Sequence, residues 1–558
     1  MLGIAIEKRI QLFILIALVG MTLVVTPWMN LDPINLPKLF VLVLCSFIVA
    51  GFFGHLYKAL LRSFYKPLVM GILVFWAFLL ATWAMGESGL VAGLYGAYGR
   101  NTGLLAYFAL SVLLLASAVV MRSAFAERVI WALVTTGFAN AIYGTLQWQG
   151  LDPVEWQTTD RSILGTLGNP NFISAHLGIS SVAALALFLD RKCGLFARVF
   201  LFIHIGISLS VIYLSTSIQG IAVFAIGSVV VIYYRFVSPS RYSFLKYSYL
   251  LASVVGGVFG VLGLLQKGPL KPFLYQESVT FRGDYWRAGW NMTIDNPIFG
   301  VGLDSYGDWY RFYRSEEATL RRGPEITSNS AHNVFLDISS NGGFLLLGAY
   351  LFIFGLVIRS VARIVRQMKD FDAIAIALIT SWIAYVVQST ISINQLGLAI
   401  WGWVLGGAII GYDYMSNNKD EGVSNRKSDK KLEQVPASTV ITGTLGAVLG
   451  ILIAIWPVAQ DVAFRSALET LEPTKIEKAA LRFPHNPYYT NFASKIFFDN
   501  KLDEKATAMA RETIGQNPRD FYGWNLLLSS EKLSESERGS VLATMKELDP
   551  FNNSVGKQ

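Results

Sequence analysis

Two side chains in one polar stretch of this sequence have the types that a transfer reaction on a phosphorylated donor needs. The stretch covers residues 266–342 and contains FRGDYWRAGWNMTIDNPIFGVGLDSY and, further on, SNSAHNVFLDISSNG. Arg282 carries a planar guanidinium, whose fork suits the oxygens of a pyrophosphate. On a helix, Arg282, Trp286 and Trp290 follow i, i+4, i+8 spacing and share one face; the tryptophans fit an interfacial aromatic belt. Pro297, Gly300 and Gly302 then end that helix and let the chain re-enter. His332 follows, with Ser330, Asn333 and Asp337 around it just above an apolar run. A lone histidine is more often structural than catalytic. In this polar setting a near-neutral imidazole suits taking a proton from a hydroxyl, or stabilising a leaving phosphate.

Two shorter stretches add polar groups. GLYGAYGRNTGLL carries Arg100, and RSILGTLGNPNFISAHL carries Arg161, Asn169 and Asn171, with His176 read as a helix-packing donor. Asp284, Asp295, Asp304 and Asp308 are scattered and read as caps and loop contacts. No Asp-x-Asp pair and no His/Cys cluster stands in these loops, so the chemistry is expected to need no metal and no cofactor. Cys45 and Cys193 are too few for a disulfide framework.

Such groups need a scaffold, and composition says which kind. Of 558 residues, 53% are hydrophobic and only 15% charged. The apolar residues fall in blocks near the roughly 20 residues that span a bilayer. They lie at 10–28, 37–57, 67–86, 103–121, 129–148, 172–189, 199–215, 218–234, 247–265, 343–358, 373–393, 396–412 and 438–459. This predicts an all-α, polytopic membrane protein of 12–13 spans. The first block follows Glu7-Lys8-Arg9 without a small-residue cleavage site and reads as a retained span. The spans are nearly free of ionisable residues, which argues against an ion-coupled pump.

Lys and Arg concentrate in alternate connections: Lys58, Arg62 and Lys66; Arg122 and Arg128; Arg191, Lys192 and Arg198; Arg235, Arg241 and Lys246; Arg359, Arg363, Arg366 and Lys369. That pattern explains the net charge of +8 as a topology signal and excludes a nucleic-acid partner. It predicts a cytoplasmic N-terminus and places the 266–342 loop outside. Residues 1–412 form the membrane core, 413–437 a charged cytoplasmic linker, 438–459 the last span and 460–558 an extracytoplasmic tail. In the tail Pro484, Pro518 and Pro550 recur at near-equal intervals between Ala-rich helical patterns. This resembles tetratricopeptide repeats, units that commonly bind protein partners.

Taken jointly, FRGDYWRAGW, DNPIFGVGLDSY, HNVFLDISSNGGFLLLGAYL, GRNTGLL and GTLGNPNF resemble the O-antigen ligase and polymerase superfamily over the first twelve spans. The resemblance implies a GT-C-like membrane glycosyltransferase acting at the outer face of the bacterial cytoplasmic (inner) membrane. It would take a glycan from undecaprenyl pyrophosphate and transfer it to an acceptor hydroxyl on a glycan, lipid or protein. It implies that Arg282 binds the pyrophosphate and that His332 acts near the acceptor. Many members also carry an arginine opening a middle span, where this chain reads STSIQGIAVF, with Gln219. Glutamine cannot neutralise phosphate, so Arg100 or Arg287 is expected to compensate, or the carrier is held differently. Arg161 and Asn333 complete the candidate substrate-binding set. Surface polysaccharide ligase is the leading reading; polymerase, protein O-oligosaccharyltransferase and a non-enzymatic export or scaffold component are the alternatives.

Overall fold

A computed structural model of the chain describes residues 2–156, 162–274, 277–418 and 437–555. Among the described residues every regular element is helical. Nine apolar helices come first: α1 (Leu2–Leu23), α2 (Asn35–Gly51), α3 (Lys66–Met85), α4 (Leu104–Val119), α5 (Ser123–Gln149), α6 (Pro170–Phe188), α7 (Leu195–Leu214), α8 (Ile218–Ile232) and α9 (Ser243–Leu264). The long loop supplies α10 (Glu277–Asp295), α11 (Tyr306–Tyr313) and α12 (Glu316–Arg322). Four more apolar helices follow: α13 (Val334–Gln367), α14 (Ala373–Ser389), α15 (Leu396–Asn417) and α16 (Ala437–Thr470). Among the described residues ten helices are long and apolar enough to cross a bilayer, and α4 and α14 are shorter apolar helices; α1, where the sequence predicts the first span, is not among them. The polytopic all-α architecture is as the sequence predicts.

Burial orders these helices. α15 is enclosed along its length, with Trp401, Val404 and Leu405 in the core beside α4, α13 and α14. At the other extreme, α9 exposes Leu251, Val254 and Val258, a surface that suits lipid and not water. The connections gather at two ends. At one end Arg122 pairs with Glu7, Arg62 reaches Tyr414 and Arg363 pairs with Asp413. The opposite end holds the long loop, the loops before α2, α4 and α6, and the tail. Lys38 of α2 is fully buried and donates from Nζ to the carbonyls of Thr22 and Val24, capping the C-terminus of α1.

α13 is broken at Gly343, whose φ is +69°. A Cβ there would lie 2.3 Å from the Ile298 carbonyl oxygen. Gly300, at φ +61°, is pressed as closely, with the Ser340 carbonyl oxygen 2.4 Å from its would-be Cβ. Across this contact Val301 N–H donates to Ser340 O (2.8 Å) and Phe344 N–H to Pro297 O (2.8 Å). Only residues without a side chain allow two backbones so close. The stretches NPIFGVG and SSNGGF are thus two halves of one joint, which docks α10 onto the break in α13.

The last apolar helix does not stop where its apolar residues do. Position 460 marks a change in hydropathy but falls in mid-helix, because α16 runs on through Pro457 to Thr470, just before Leu471 and Pro473. The extension carries Asp461, fully buried, which accepts from Asn30 Nδ2, Leu31 N–H and the hydroxyls of Tyr98 and Tyr489. One carboxylate thereby ties the tail to the loops before α2 and α4. The tail continues as α17 (Pro473–Ala480), α18 (Pro487–Asp499), α19 (Asp503–Gln516), α20 (Phe521–Leu528) and α21 (Glu535–Leu548), each packed on the next. Pro484 and Pro518 fall in joints between helices and Pro550 beyond the last.

The end of the tail returns to the long loop. Asp549, with no exposed surface, receives both Nη2 contacts of Arg314 (2.7 and 2.6 Å) and Arg311 Nη1 (2.9 Å). Arg519 lies over the Trp309 ring at 3.2 Å from its centroid, and Arg311 over Phe521 at 4.2 Å. The tail is therefore built against α11 and does not stand clear of the core.

Candidate active site

At the loop end, a cavity of about 300 Å³ opens between the loops before α2, α4, α6 and α15 and the turn preceding α13. Its lining includes Arg100, Asn169, Asn171, Gln219, His332 and Asn394. These residues are far apart in sequence, and the fold brings them to one wall.

Arg100 is enclosed, at 6% exposure, within a ring of acceptors. Its Nε lies 3.0 Å from Asp304 Oδ1, its Nη2 is 3.6 Å from Asp337 Oδ2, and its Nη1 donates to the Asn329 carbonyl (2.6 Å). Burial works against its charge, yet Asp304 and Asp337 more than offset that and hold its pKa above the usual value. The same two acids shape the backbone. Asp304 accepts from Ala97 N–H and Thr102 N–H; Asp337 accepts from Ser330 Oγ (2.7 Å) and Ala331 N–H (2.8 Å). Arg100 is a hub that locks the loops together, with its charge already matched by two carboxylates.

That lock fixes His332. The residue adopts φ +52°, an unusual conformation for a side-chain-bearing residue, held by its own N–H donating to Ser330 Oγ (3.0 Å). Its ring stacks on Tyr285 of α10 with centroids 5.0 Å apart and planes at 23°. Burial, and then the charges of Arg282, Arg100 and Arg322, push its pKa down to about 3. The imidazole is neutral in all ordinary media.

Arg282 stands one helical turn before Tyr285, 9% exposed, and desolvation lowers its pKa. Among the described residues it has no ion pair and no hydrogen bond. Arg322 comes back over the same surface through α12. Its guanidinium lies 4.0 Å above Phe281 and donates to the Tyr285 hydroxyl (2.6 Å), again with no carboxylate partner among the described residues. The rim beside His332 thus carries two cations whose charge no carboxylate matches among the described residues.

Residues 174–351 match the family model described as O-antigen ligase. That segment is similar to the O-antigen ligase family. No curated protein matches the chain. The matched segment runs from α6 to the middle of α13 and so contains Gln219, Arg282, Arg322 and His332, whereas Arg100 precedes it.

In the fold, the residues singled out in the sequence separate. Arg282 and His332 come together, and Gln219 and Arg100 line the cavity beside them. Arg287 does not join them: it lies on the outer face of α10 and faces Glu317 at 3.6 Å. Asn333 caps α13, accepting from Phe335 and Leu336 N–H while its amide donates to the Thr390 carbonyl. Arg161 falls outside the described residues. Neither Arg100 nor Arg287 therefore supplies a free cation in place of Gln219. Arg322 was not recognised from sequence, because EEATLRRG reads as an ordinary charged surface helix. The one available signal was Gly323, at φ +89°, which ends α12 so that Arg322 lies over Tyr285.

Proposed function

We propose that the protein transfers a glycan from an undecaprenyl-pyrophosphate carrier to an acceptor hydroxyl at the extracytoplasmic face of a bacterial cytoplasmic membrane. The observation that carries this reading is the rim itself: a neutral imidazole flanked by Arg282 and Arg322, neither matched by a carboxylate. The acceptor oxygen attacks the anomeric carbon as the carbon–oxygen bond to the pyrophosphate breaks. The hydroxyl proton passes to the free nitrogen lone pair of His332, and the bond pair leaves with the carrier pyrophosphate. Fixed cations at that point lower the barrier, since negative charge grows on the leaving oxygens.

Anion binding also tunes the base. Burial and, after it, the arginine charges oppose protonation of His332; a pyrophosphate between the arginines offsets their part and makes the imidazole a stronger base as the donor arrives. The basic connections at the opposite end of the bundle support a cytoplasmic placement of that end, with the N-terminus there and the tail outside. Deleting the gene and identifying the lost surface glycan tests the reading. Accumulation of single repeat units on the carrier marks a polymerase, and accumulation of finished glycan marks a ligase acting on a lipid or protein. No change in any lipid-linked pool sinks the proposal.

A further inference from the structure

The cavity behind the rim is floored by carboxamides where a phosphate site would hold cations. Arg100, the one arginine among its described lining residues, is neutralised by Asp304 and Asp337. Gln219, Asn394 and Gln395 line the same space at 4%, 4% and 5% exposure. Each keeps a buried atom with no partner among the described residues: Gln219 Oε1, Asn394 Oδ1 and Gln395 Nε2. Asn394 spends its amino group on the Tyr107 hydroxyl (3.2 Å), and Gln395 spends its oxygen on Leu398 N–H (3.1 Å). Because a hydroxyl can donate or accept, turning the Asn394 amide over would still leave one end unmet. Asn171 adds an amide whose oxygen accepts from Ser217 Oγ (2.8 Å).

Buried polar atoms without partners are uncommon in folded proteins and destabilise them unless water or a ligand meets them. Here they are concentrated on one wall, offer both donors and acceptors, and carry no net charge. That pattern fits a ligand with many neutral groups that donate and accept at once. A ring of hydroxyls does so; a phosphate only accepts and requires compensating charge. The volume is at the lower end of small-ligand pockets.

We infer that this cavity is a saccharide subsite, in which Gln219, Asn394 and Gln395 hold the sugar attached to the carrier while its pyrophosphate stays at the Arg282–Arg322 rim. The inference rests on the carrier reading above and adds where the two halves of the donor sit. Gln219 then serves sugar recognition, and no other cation need replace it at that position.

The test uses the purified full-length protein in lipid nanodiscs and two probes: bare undecaprenyl pyrophosphate, and the same lipid bearing the glycan that accumulates in the deletion strain. The glycosylated lipid is expected to bind more tightly than the bare one. Gln219→Leu and Asn394→Leu should each remove about tenfold of that gain, the scale of a hydrogen bond lost from a buried site, with bare-lipid affinity held within about twofold. Arg282→Ala should weaken both probes alike. Gln219→Arg keeps the test sharp should the leucine variants fail to insert: a saccharide subsite predicts loss of the glycan-dependent gain, whereas tighter binding of the bare lipid by Gln219→Arg overturns the inference. Equal affinity of the wild type for both probes also overturns it and leaves the carrier reading standing. Binding of neither probe removes the carrier reading as well.

Discussion

Arg314 and Arg282 belong to the same long loop, and their surroundings are opposite. Arg314 is sealed against Asp549 with both oxygens engaged and 2% of its surface exposed. Arg282 is nearly as enclosed, yet meets no carboxylate among the described residues. Removing charge from water is costly, and the dock repays that cost internally, through geometry and two charge-assisted hydrogen bonds. At the rim the cost is left standing, together with that of the neighbouring Arg322. A matched charge holds the tail in place; an unmatched one is what the proposed anion site requires. Arg100 shows that burial alone does not mark function, since it lines the cavity and still belongs, by its partners, with the structural group.

This contrast is most severely tested by deleting the unmatched charges. Arg282→Ala and His332→Ala should each lower turnover by about two to four orders of magnitude, measured as glycan transfer by protein shown to insert normally. Arg282→Lys should also be impaired, because an ammonium keeps the charge and loses the fork. Near-normal transfer by both alanine variants would erase the distinction between rim and dock.

The second test breaks a matched charge. Asp549→Ala leaves Arg314 buried without its partner, a loss on the scale of about 3–5 kcal/mol. The expected outcome is release of α20 and α21 from α11, seen as faster hydrogen exchange over residues 517–549, with a smaller fall in turnover than at the rim. Replacing Arg314 and Asp549 together by methionine and leucine should restore much of the protection. If the single variant exchanges like wild type, the dock is not what holds the tail.

A pH profile sharpens the rim. His332 is pushed down to about 3 in the free protein, so kcat/KM should show no acid limb from it between pH 5 and 8. Once pyrophosphate offsets the arginine field, the limb in kcat should move up toward the usual histidine range, with rate lost as pH falls. An acid limb at the same pH in both parameters would contradict a base tuned by its substrate.

The smallest effect belongs to the dock. Asp308 of α11 is pushed up to about 7 by burial and by Asp520 across the contact, against Asn517 and Arg519. A raised carboxyl pKa means that the docked state holds its proton while the free state does not. Docking should therefore weaken as pH rises from about 4 to 7 and stay at its weaker level above. Asp308→Asn should flatten that slope in hydrogen exchange over residues 517–549; an unchanged slope would assign it to another group.

The loop arginine and histidine were legible because their neighbours in sequence are also their neighbours in space: Arg282 and Tyr285 lie one turn apart, and Ser330 and Asp337 bracket His332. Arg100 was legible as a cavity residue and misleading as a cation, since Asp304 and Asp337 are each more than 200 positions away. Arg287 fitted the same charge argument and faces outward, because helical phase sets it on the exposed side of α10, away from Arg282 and Tyr285. The tail was readable as helices joined at prolines. Nothing in its repeat announced that Asp549 would close on Arg311 and Arg314.

By itself the sequence determined the helical class, the number and order of the apolar helices, and which segments are too polar to lie among them. It could do so because bilayer length, hydropathy and helix-breaking residues are local properties. The tertiary structure alone decided which charges are matched and which are left open. That depends on long-range partners, such as the two acids of Arg100 or the aspartate of Arg314, that no window of sequence contains. In this protein the chemistry is written in those pairings, and in the few polar groups they leave without a partner.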